Sequence, residues 1–197
     1  MAAKQAEFYF DVGSPAAYLA WTQVPRIAAA TGATVQEVPF LLGGCFQATG
    51  NRSPMEVPAK GKYMVDDLQR FARRYGVPFN HNPHFPINTL TLMRMATALQ
   101  QREPQRFRPF VDAVYRAIWV DGRNMNDPAT VAATLEEAGF DAAQLLALAS
   151  DPVVKERLKE VTQEAVARGV FGAPTFFVGG EMFWGQDRLD FVQESLQ

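Results

Sequence analysis

The sequence of 197 residues is poor in cysteine, histidine and net charge. It holds a single cysteine, Cys45, so a disulfide within the chain and a metal cluster built on cysteines are both excluded. The two histidines, His81 and His84, lie in a proline-interrupted stretch with no accompanying carboxylate cluster, which argues against a metal site. The net charge is -2 and no long run carries one sign, which argues against a nucleic-acid surface.

Long hydrophobic runs are also missing. No segment reaches the ~20 apolar residues that a membrane-spanning helix needs, and no apolar run of ~7–15 residues follows the first seven residues as a secretory signal would require. We therefore expect no membrane partner and a cytoplasmic location. The chain is, however, 48% hydrophobic and contains 15 Phe and 3 Trp, enough to fill the core of an ordered domain. A lone cysteine such as Cys45 is more often a packing residue, and a reactive thiol is the alternative that the sequence leaves open.

The two ends of the chain carry strand patterns. Residues 6–12 are rich in aromatic side chains and predict a strand, residues 14–31 have helical spacing and end at Gly32, and residues 34–40 alternate as a second strand. Strand, helix and strand in this order favour a right-handed parallel unit. Near the other end, residues 174–178 and 181–184 predict a hairpin around Gly179-Gly180, followed by a last helix.

The middle of the chain is predicted to be helical. After a loop over residues 43–58, helical patterns cover residues 60–75, 89–101, 105–120, 128–137, 142–149 and 152–168. The order strand-helix-strand, then strand-strand-helix, is that of the thioredoxin fold. We therefore predict an α/β, thioredoxin-like fold in which residues 1–44 and 169–197 form one domain and residues 45–168 an inserted, all-helical subdomain.

Ser14 is the main candidate for chemistry. Followed by Pro15, it is a good N-cap for the first helix, and capping alone would account for it. The same helix N-terminus, however, attracts anions through its free N–H groups and its dipole. Redox enzymes with this fold carry Cys-x-x-Cys here, whereas this chain has Ser14-Pro15-Ala16-Ala17. Thiol–disulfide exchange is thereby excluded, so a thiol used at this position must come from outside, with glutathione as the obvious source.

Several segments together resemble one family. Residues 8–20 (Phe-Tyr-Phe-Asp-Val-Gly-Ser-Pro-Ala-Ala-Tyr-Leu-Ala) resemble the opening of 2-hydroxychromene-2-carboxylate isomerases and of kappa-class glutathione transferases. Both belong to the larger group built like the bacterial disulfide oxidoreductase DsbA. Later segments agree with the resemblance in the same order, over nearly the whole chain: residues 50–54, 58–64, 170–178 and 183–189.

The resemblance implies that glutathione is the cofactor and that Ser14, as the catalytic residue, donates a hydrogen bond to its sulfur. The implied glutathione contacts are Asn51, Lys60, Ala173, Trp184, Gly185, Gln186 and Asp187, and the implied substrate contacts are Asn51 and Asn88. Taken singly, several of these residues also have ordinary structural explanations: a turn for Asn51, a solvated surface for Lys60 and a helix cap for Asp187. By analogy with thioredoxin folds we also predict a cis Ala173–Pro174 peptide bond.

The activity implied by the resemblance is a glutathione-dependent cis–trans isomerisation. The substrate would be 2-hydroxychromene-2-carboxylate, a small aromatic carboxylate from naphthalene-type catabolism, and the product trans-o-hydroxybenzylidenepyruvate. Two alternatives remain open, a kappa-like transferase that consumes glutathione on electrophiles and a non-catalytic glutathione-binding domain. Relatives also suggest a homodimer.

Overall fold

The structure, a computed structural model, describes residues 4–197 as a four-stranded sheet with helices packed around it. Residues 1–3, which belong to the predicted segment 1–44 of the thioredoxin-like domain, lie outside the described residues. The strands are β1 (Gln5–Phe10), β2 (Thr34–Pro39), β3 (Thr175–Val178) and β4 (Glu181–Trp184). The helices are α1 (Pro15–Thr31), α2 (Leu42–Thr49), α3 (Pro58–Tyr75), α4 (Leu90–Arg102), α5 (Pro104–Trp119), α6 (Pro128–Glu137), α7 (Ala142–Ser150), α8 (Pro152–Ala167) and α9 (Leu189–Ser195).

The sheet has the order β2-β1-β3-β4 and joins the two ends of the chain. Strand β1 pairs parallel to β2 and antiparallel to β3, and β3 pairs antiparallel to β4. Phe8 and Phe10 of β1 are fully buried, and the Phe8 ring stacks on that of Phe176 at 4.6 Å between centroids. The predicted parallel unit, the hairpin and the thioredoxin-like fold are therefore confirmed.

Helix α1 begins at the end of the central strand because the residues of the connecting turn favour it. Ser14 caps the helix, Pro15 supplies a φ suited to the first helical position, and Gly32 ends the helix in the left-handed conformation at φ 67°. Trp21 and its buried neighbours on α1 face the sheet, where the Trp21 ring lies 5.1 Å from that of Phe10. This packing fixes the N-terminus of α1, and with it Ser14, beside the C-terminal end of β1.

The predicted loop over residues 43–58 is wrong in its first half, where α2 forms instead. Two glycines make this segment a poor helix former by propensity. Tertiary contacts outweigh that preference: Cys45 is fully buried against α8 and its neighbours, and a Cβ on Gly44 would lie only 3.4 Å from Thr162 Cγ2. Gly44 thus allows α2 and α8 to pack closely.

Helices α2 to α8 form the inserted helical region between β2 and β3, and α3 to α8 follow the predicted ranges closely. The division into two domains at residues 44/45 and 168/169 stays a prediction. The inserted region contacts the turn between β1 and α1 directly, because the indole N–H of Trp119 in α5 donates to the carbonyl of Val12 at 2.9 Å. Within residues 4–197, no helix has both the length and the apolar composition needed to cross a bilayer.

Candidate functional site

Ser14 makes two hydrogen bonds, one within the first turn of α1 and one to a segment far away in sequence. Its Oγ accepts from the Ala17 N–H at 3.1 Å, the usual N-cap contact, and donates to the Ala173 carbonyl at 2.9 Å. The residue is only 5% exposed. The capping role and a position facing Ala173 are thus combined in one hydroxyl.

Two backbone N–H groups beside this hydroxyl are available to a ligand. Pro15 has no N–H, and the Ala17 N–H is used by Ser14, so the first free N–H of α1 belongs to Ala16. Neither this group nor the Ala173 N–H has an acceptor among residues 4–197. With the positive end of the α1 dipole, these groups suit a negatively charged sulfur. The Ser14 hydroxyl has a single proton, so donating to sulfur requires releasing the Ala173 carbonyl.

The segment before β3 collects further residues of the predicted site. The Ala173–Pro174 peptide bond is cis, as predicted. Asn51 donates its side-chain N–H to the Phe171 carbonyl at 2.8 Å, which fastens the loop after α2 to this segment. The structure therefore brings Asn51, Ala173 and Ser14 to one segment, although Asn51 uses part of its amide to hold the loop.

Trp184 forms an exposed aromatic wall next to this segment. Its side chain is 50% exposed, and its ring centroid lies 5.2 Å from that of Phe171. A Cβ on Gly172 would come within 2.6 Å of Trp184 Nε1, so only glycine allows the indole to lie this close to the backbone. Gly172 is thus needed for the wall, a requirement that the sequence alone did not reveal.

The turn after β4 places the remaining predicted contacts. Gly185 has φ 101°, a conformation that favours glycine, and its N–H donates to the Pro174 carbonyl at 3.0 Å. The Asp187 carboxylate pairs with Arg188 at 2.5 Å, and both side chains are exposed to solvent. Such an exposed pair is weak, which leaves Asp187 able to exchange Arg188 for a ligand amine.

Gln186 is buried and is held from α3. Its carbonyl accepts a hydrogen bond from the Tyr75 hydroxyl at 2.7 Å. This contact joins α3 to the turn after β4, and the sequence did not predict it. Burial raises the pKa of Tyr75 to about 12, with the nearby Asp190 carboxylate acting in the same direction. Tyr75 therefore stays protonated and keeps this hydrogen bond throughout the neutral range.

Lys60 and Asn88 are less closely tied to Ser14. Lys60 is exposed in the first turn of α3, and among residues 4–197 no hydrogen bond or ion pair holds its ammonium group. Asn88 is also exposed, but the next residue, Thr89, lies against Gly13, since a Cβ on Gly13 would be 2.9 Å from Thr89 Cγ2. The structure thus brings Asn88 near the Ser14 turn, whereas the place of Lys60 in the site stays a prediction.

Asp11 is a buried carboxylate that sequence reasoning missed. Its side chain is 1% exposed and accepts from Gly13 N and Leu42 N, both at 2.8 Å, and from Thr89 Oγ1 at 3.1 Å. Burial raises the pKa of this carboxyl, while the three hydrogen bonds oppose the rise. A carboxylate at the end of an aromatic strand, just before Gly-Ser-Pro, was the available sequence signal.

Cys45 and the two histidines have other surroundings. Cys45 is fully buried, donates its thiol to the Val170 carbonyl at 3.3 Å, and has its pKa raised to about 11 by burial, so its predicted packing role is confirmed. Burial also lowers the pKa of His81, whose Nδ1 has no hydrogen-bond partner in the part of the chain that the structure describes, whereas His84 is exposed. Over the described part of the chain, no three His, Cys, Asp or Glu side chains converge in a metal-binding group.

Comparison with known proteins agrees with this geometry. Residues 5–197 match the model of the DSBA-like thioredoxin domain. The chain is 35% identical to the 2-hydroxychromene-2-carboxylate isomerase of Sphingobium xenophagum over 98% of both chains. It is 29% identical to human glutathione S-transferase kappa 1, covering 98% of this chain and 91% of the relative.

A solved structure gives the same result in three dimensions. The structure of a 2-hydroxychromene-2-carboxylate isomerase superposes with a TM-score of 0.83 at 30% identity, covering 98% of this chain and 94% of the other. Sequence and structure thus point to the same relatives, and kappa-class glutathione transferases follow them. The chain therefore belongs to the DsbA-like thioredoxin family and, within it, to the group of 2-hydroxychromene-2-carboxylate isomerases.

Proposed function

We propose that this protein is a glutathione-dependent isomerase that converts 2-hydroxychromene-2-carboxylate to trans-o-hydroxybenzylidenepyruvate in naphthalene-type catabolism. The observation that carries the proposal is the Ser14 hydroxyl, set between the N-terminus of α1 and Ala173 in a chain 35% identical to such isomerases. The relatives are named as isomerases and as glutathione transferases, and both names support an enzymatic role.

The residues around Ser14 would favour the ionised form of a bound thiol. When bound, glutathione would supply a thiolate for reversible nucleophilic catalysis on the conjugated chain of the substrate. A free cysteinyl thiol has a pKa near ~8.5, so little thiolate exists at neutral pH without help. The Ser14 hydroxyl, the Ala16 N–H and the dipole of α1 each stabilise the anion. Ser14 acts here as a hydrogen-bond donor, not as a covalent nucleophile.

The other predicted residues would hold the tripeptide and the substrate. Ala173 can offer its free N–H to the cysteinyl backbone, in the manner of strand pairing. Asp187 would pair with the γ-glutamyl amine beside Trp184, Gly185 and Gln186, and Lys60 would face the glycyl carboxylate. Asn51 and Asn88 would lie on the side of the aromatic substrate.

The test combines catalytic glutathione with the chromene carboxylate and follows both the trans product and free thiol. We expect many turnovers per glutathione with free thiol unchanged. Ser14→Ala should lower kcat/KM by about 10- to 100-fold, the value of a hydrogen bond to a charged group. Ser150→Ala is the matched control, because this exposed hydroxyl bonds, among the described residues, only to the Leu146 carbonyl in its own helix. Failure of the wild-type protein to turn over this substrate would contradict the proposal.

A kappa-like glutathione transferase is the second candidate, because human glutathione S-transferase kappa 1 is related over nearly the whole chain. The two activities differ in stoichiometry: a transferase consumes free thiol in proportion to product, whereas an isomerase does not. Glutathione binding without either signal would favour a non-catalytic domain. The homodimer and the cytoplasmic location remain predictions from the resemblance and the sequence, and sedimentation and cell fractionation test them.

A further inference from the structure

The buried Asp11 carboxylate joins three separate parts of the chain just behind Ser14. Its donors are Gly13 in the turn before α1, Leu42 at the start of α2 and Thr89 at the start of α4. No cation pairs with it in the described residues, so these three hydrogen bonds alone offset the cost of burying it.

Thr89 uses its hydroxyl for this carboxylate rather than for its own helix. It stands at the N-cap of α4, where a threonine would usually accept from a helix N–H, but its side chain makes no capping bond. The Oγ1 donates to Asp11 at 3.1 Å, and the Asn88 side chain accepts from the Leu90 N–H at 3.2 Å. The start of α4 is thus fixed to the Ser14 turn rather than capped in the ordinary way.

The methyl group of Thr89 makes a second contact with the same turn. A Cβ on Gly13 would lie 2.9 Å from Thr89 Cγ2, closer than real Cβ contacts, so Gly13 is needed for this approach. The Gly13 backbone does not have a positive φ. A glycine is needed here because a side chain would not fit against Thr89, and not because of the backbone conformation. One residue therefore holds a hydrogen bond and a close packing contact to the turn that carries Ser14.

We propose that Thr89 is a positioning residue that sets the distance between Ser14 and Asn88 through its bond to the buried Asp11 carboxylate. This proposal rests on the proposed function. It means that Thr89 positions the part of the site that would contact the aromatic substrate. Asn88 adjoins Thr89 and is exposed, whereas the predicted glutathione contacts Ala173 and Trp184 are on or beside strands of the sheet. A shift of α4 should therefore disturb the substrate and leave glutathione in place.

The test compares Thr89→Val, which removes the hydroxyl but keeps the branched shape, with Thr89→Ser, which keeps the hydroxyl. We expect Thr89→Val to raise the KM for the chromene carboxylate by about tenfold, the order expected for a lost bond to a charged acceptor, with the Kd for glutathione within about twofold of wild type. Thr89→Ser should recover most of the loss. A merely structural role would lower stability without separating these two constants.

A second pair of variants tests the packing contact if Thr89→Val does not fold. Gly13→Ala places a Cβ against the Thr89 methyl and should raise the same KM, and adding Thr89→Ser removes that methyl and should bring the KM back. This rescue gives a coupling between two contacting residues that independent effects cannot produce.

Four outcomes would contradict the inference. An unchanged KM in Thr89→Val with active wild-type protein, or equal changes for substrate and glutathione, overturns it alone. Absence of rescue in the Gly13→Ala, Thr89→Ser double variant overturns it as well. A wild-type protein that neither binds glutathione nor turns over overturns it together with the proposed function.

Discussion

Replacing Ser14 by alanine should destabilise the protein as well as impair catalysis, because the hydroxyl of this buried residue makes two hydrogen bonds. Loss of the cap to Ala17 costs about 1 kcal/mol, and loss of the bond to the Ala173 carbonyl costs about another 1 kcal/mol. The free energy of unfolding should therefore fall by about 2 kcal/mol. For a chain of 197 residues this lowers Tm by about 4–8 °C.

The matched control is Ser53→Ala, because Ser53 also precedes a proline and caps a short turn of helix. Its Oγ accepts from the Met55 N–H at 3.3 Å and, within residues 4–197, donates to no distant carbonyl. We expect its loss to cost no more than about 0.5 kcal/mol, the low end for a cap. Urea denaturation of both variants, with unchanged m-values, measures the difference. Equal midpoints for the two variants would refute the idea that Ser14 fastens the Ala173 segment to α1.

Three further predictions concern residues outside this turn. Cys45, with its pKa raised to about 11, should resist alkylation at pH 8 in the native protein and react rapidly in urea, as read by mass spectrometry; fast native labelling would contradict its burial. Because the folded state raises the pKa of Tyr75 to about 12, the free energy of unfolding should fall as pH rises from about 10 towards 12. Tyr75→Phe should reduce that slope, to which Tyr9, Tyr18 and Tyr115 also contribute because burial raises their pKa values. Through the lost bond to Gln186 it should also weaken glutathione binding several-fold by calorimetry; an unchanged slope would contradict the assignment to Tyr75. Arg168→Lys should cost about 1 kcal/mol in urea denaturation, because lysine cannot reproduce the two bonds to Glu7; an unchanged midpoint would contradict this.

The sheet and the first helix could be predicted because their signals are local. The signals are the aromatic-rich first strand, the Ser14-Pro15 start of α1, its Gly32 end and the Gly179-Gly180 turn of the hairpin, and each acts on the residues next to it. Helix α2 could not be predicted this way. It forms despite Gly43 and Gly44, because its contacts with α8 arise only when segments far apart in sequence meet.

The candidate site divides in the same way. The family motifs named Ser14, Asn51 and Ala173. In the structure the Ser14 hydroxyl donates to the Ala173 carbonyl, and the Asn51 amide donates to the Phe171 carbonyl of the same segment. The supporting network around Asp11 was missed because two of its bonds span 31 and 78 residues, and nothing near Asp11 in sequence specifies those partners. Long-range support of this kind becomes visible only in the folded chain.

The strand order also has a consequence for biosynthesis. Strand β1 is made first and occupies the middle of the sheet, but β3, its second neighbour, begins only at Thr175. At about 5–20 residues per second, on the order of ten seconds pass between completion of β2 and the appearance of β3. During that interval one edge of β1, with the apolar Phe8 and Phe10, has no strand to pair with. The nascent chain is therefore most vulnerable to aggregation just before its last residues emerge, and even a short C-terminal truncation that removes β3 leaves that edge open permanently.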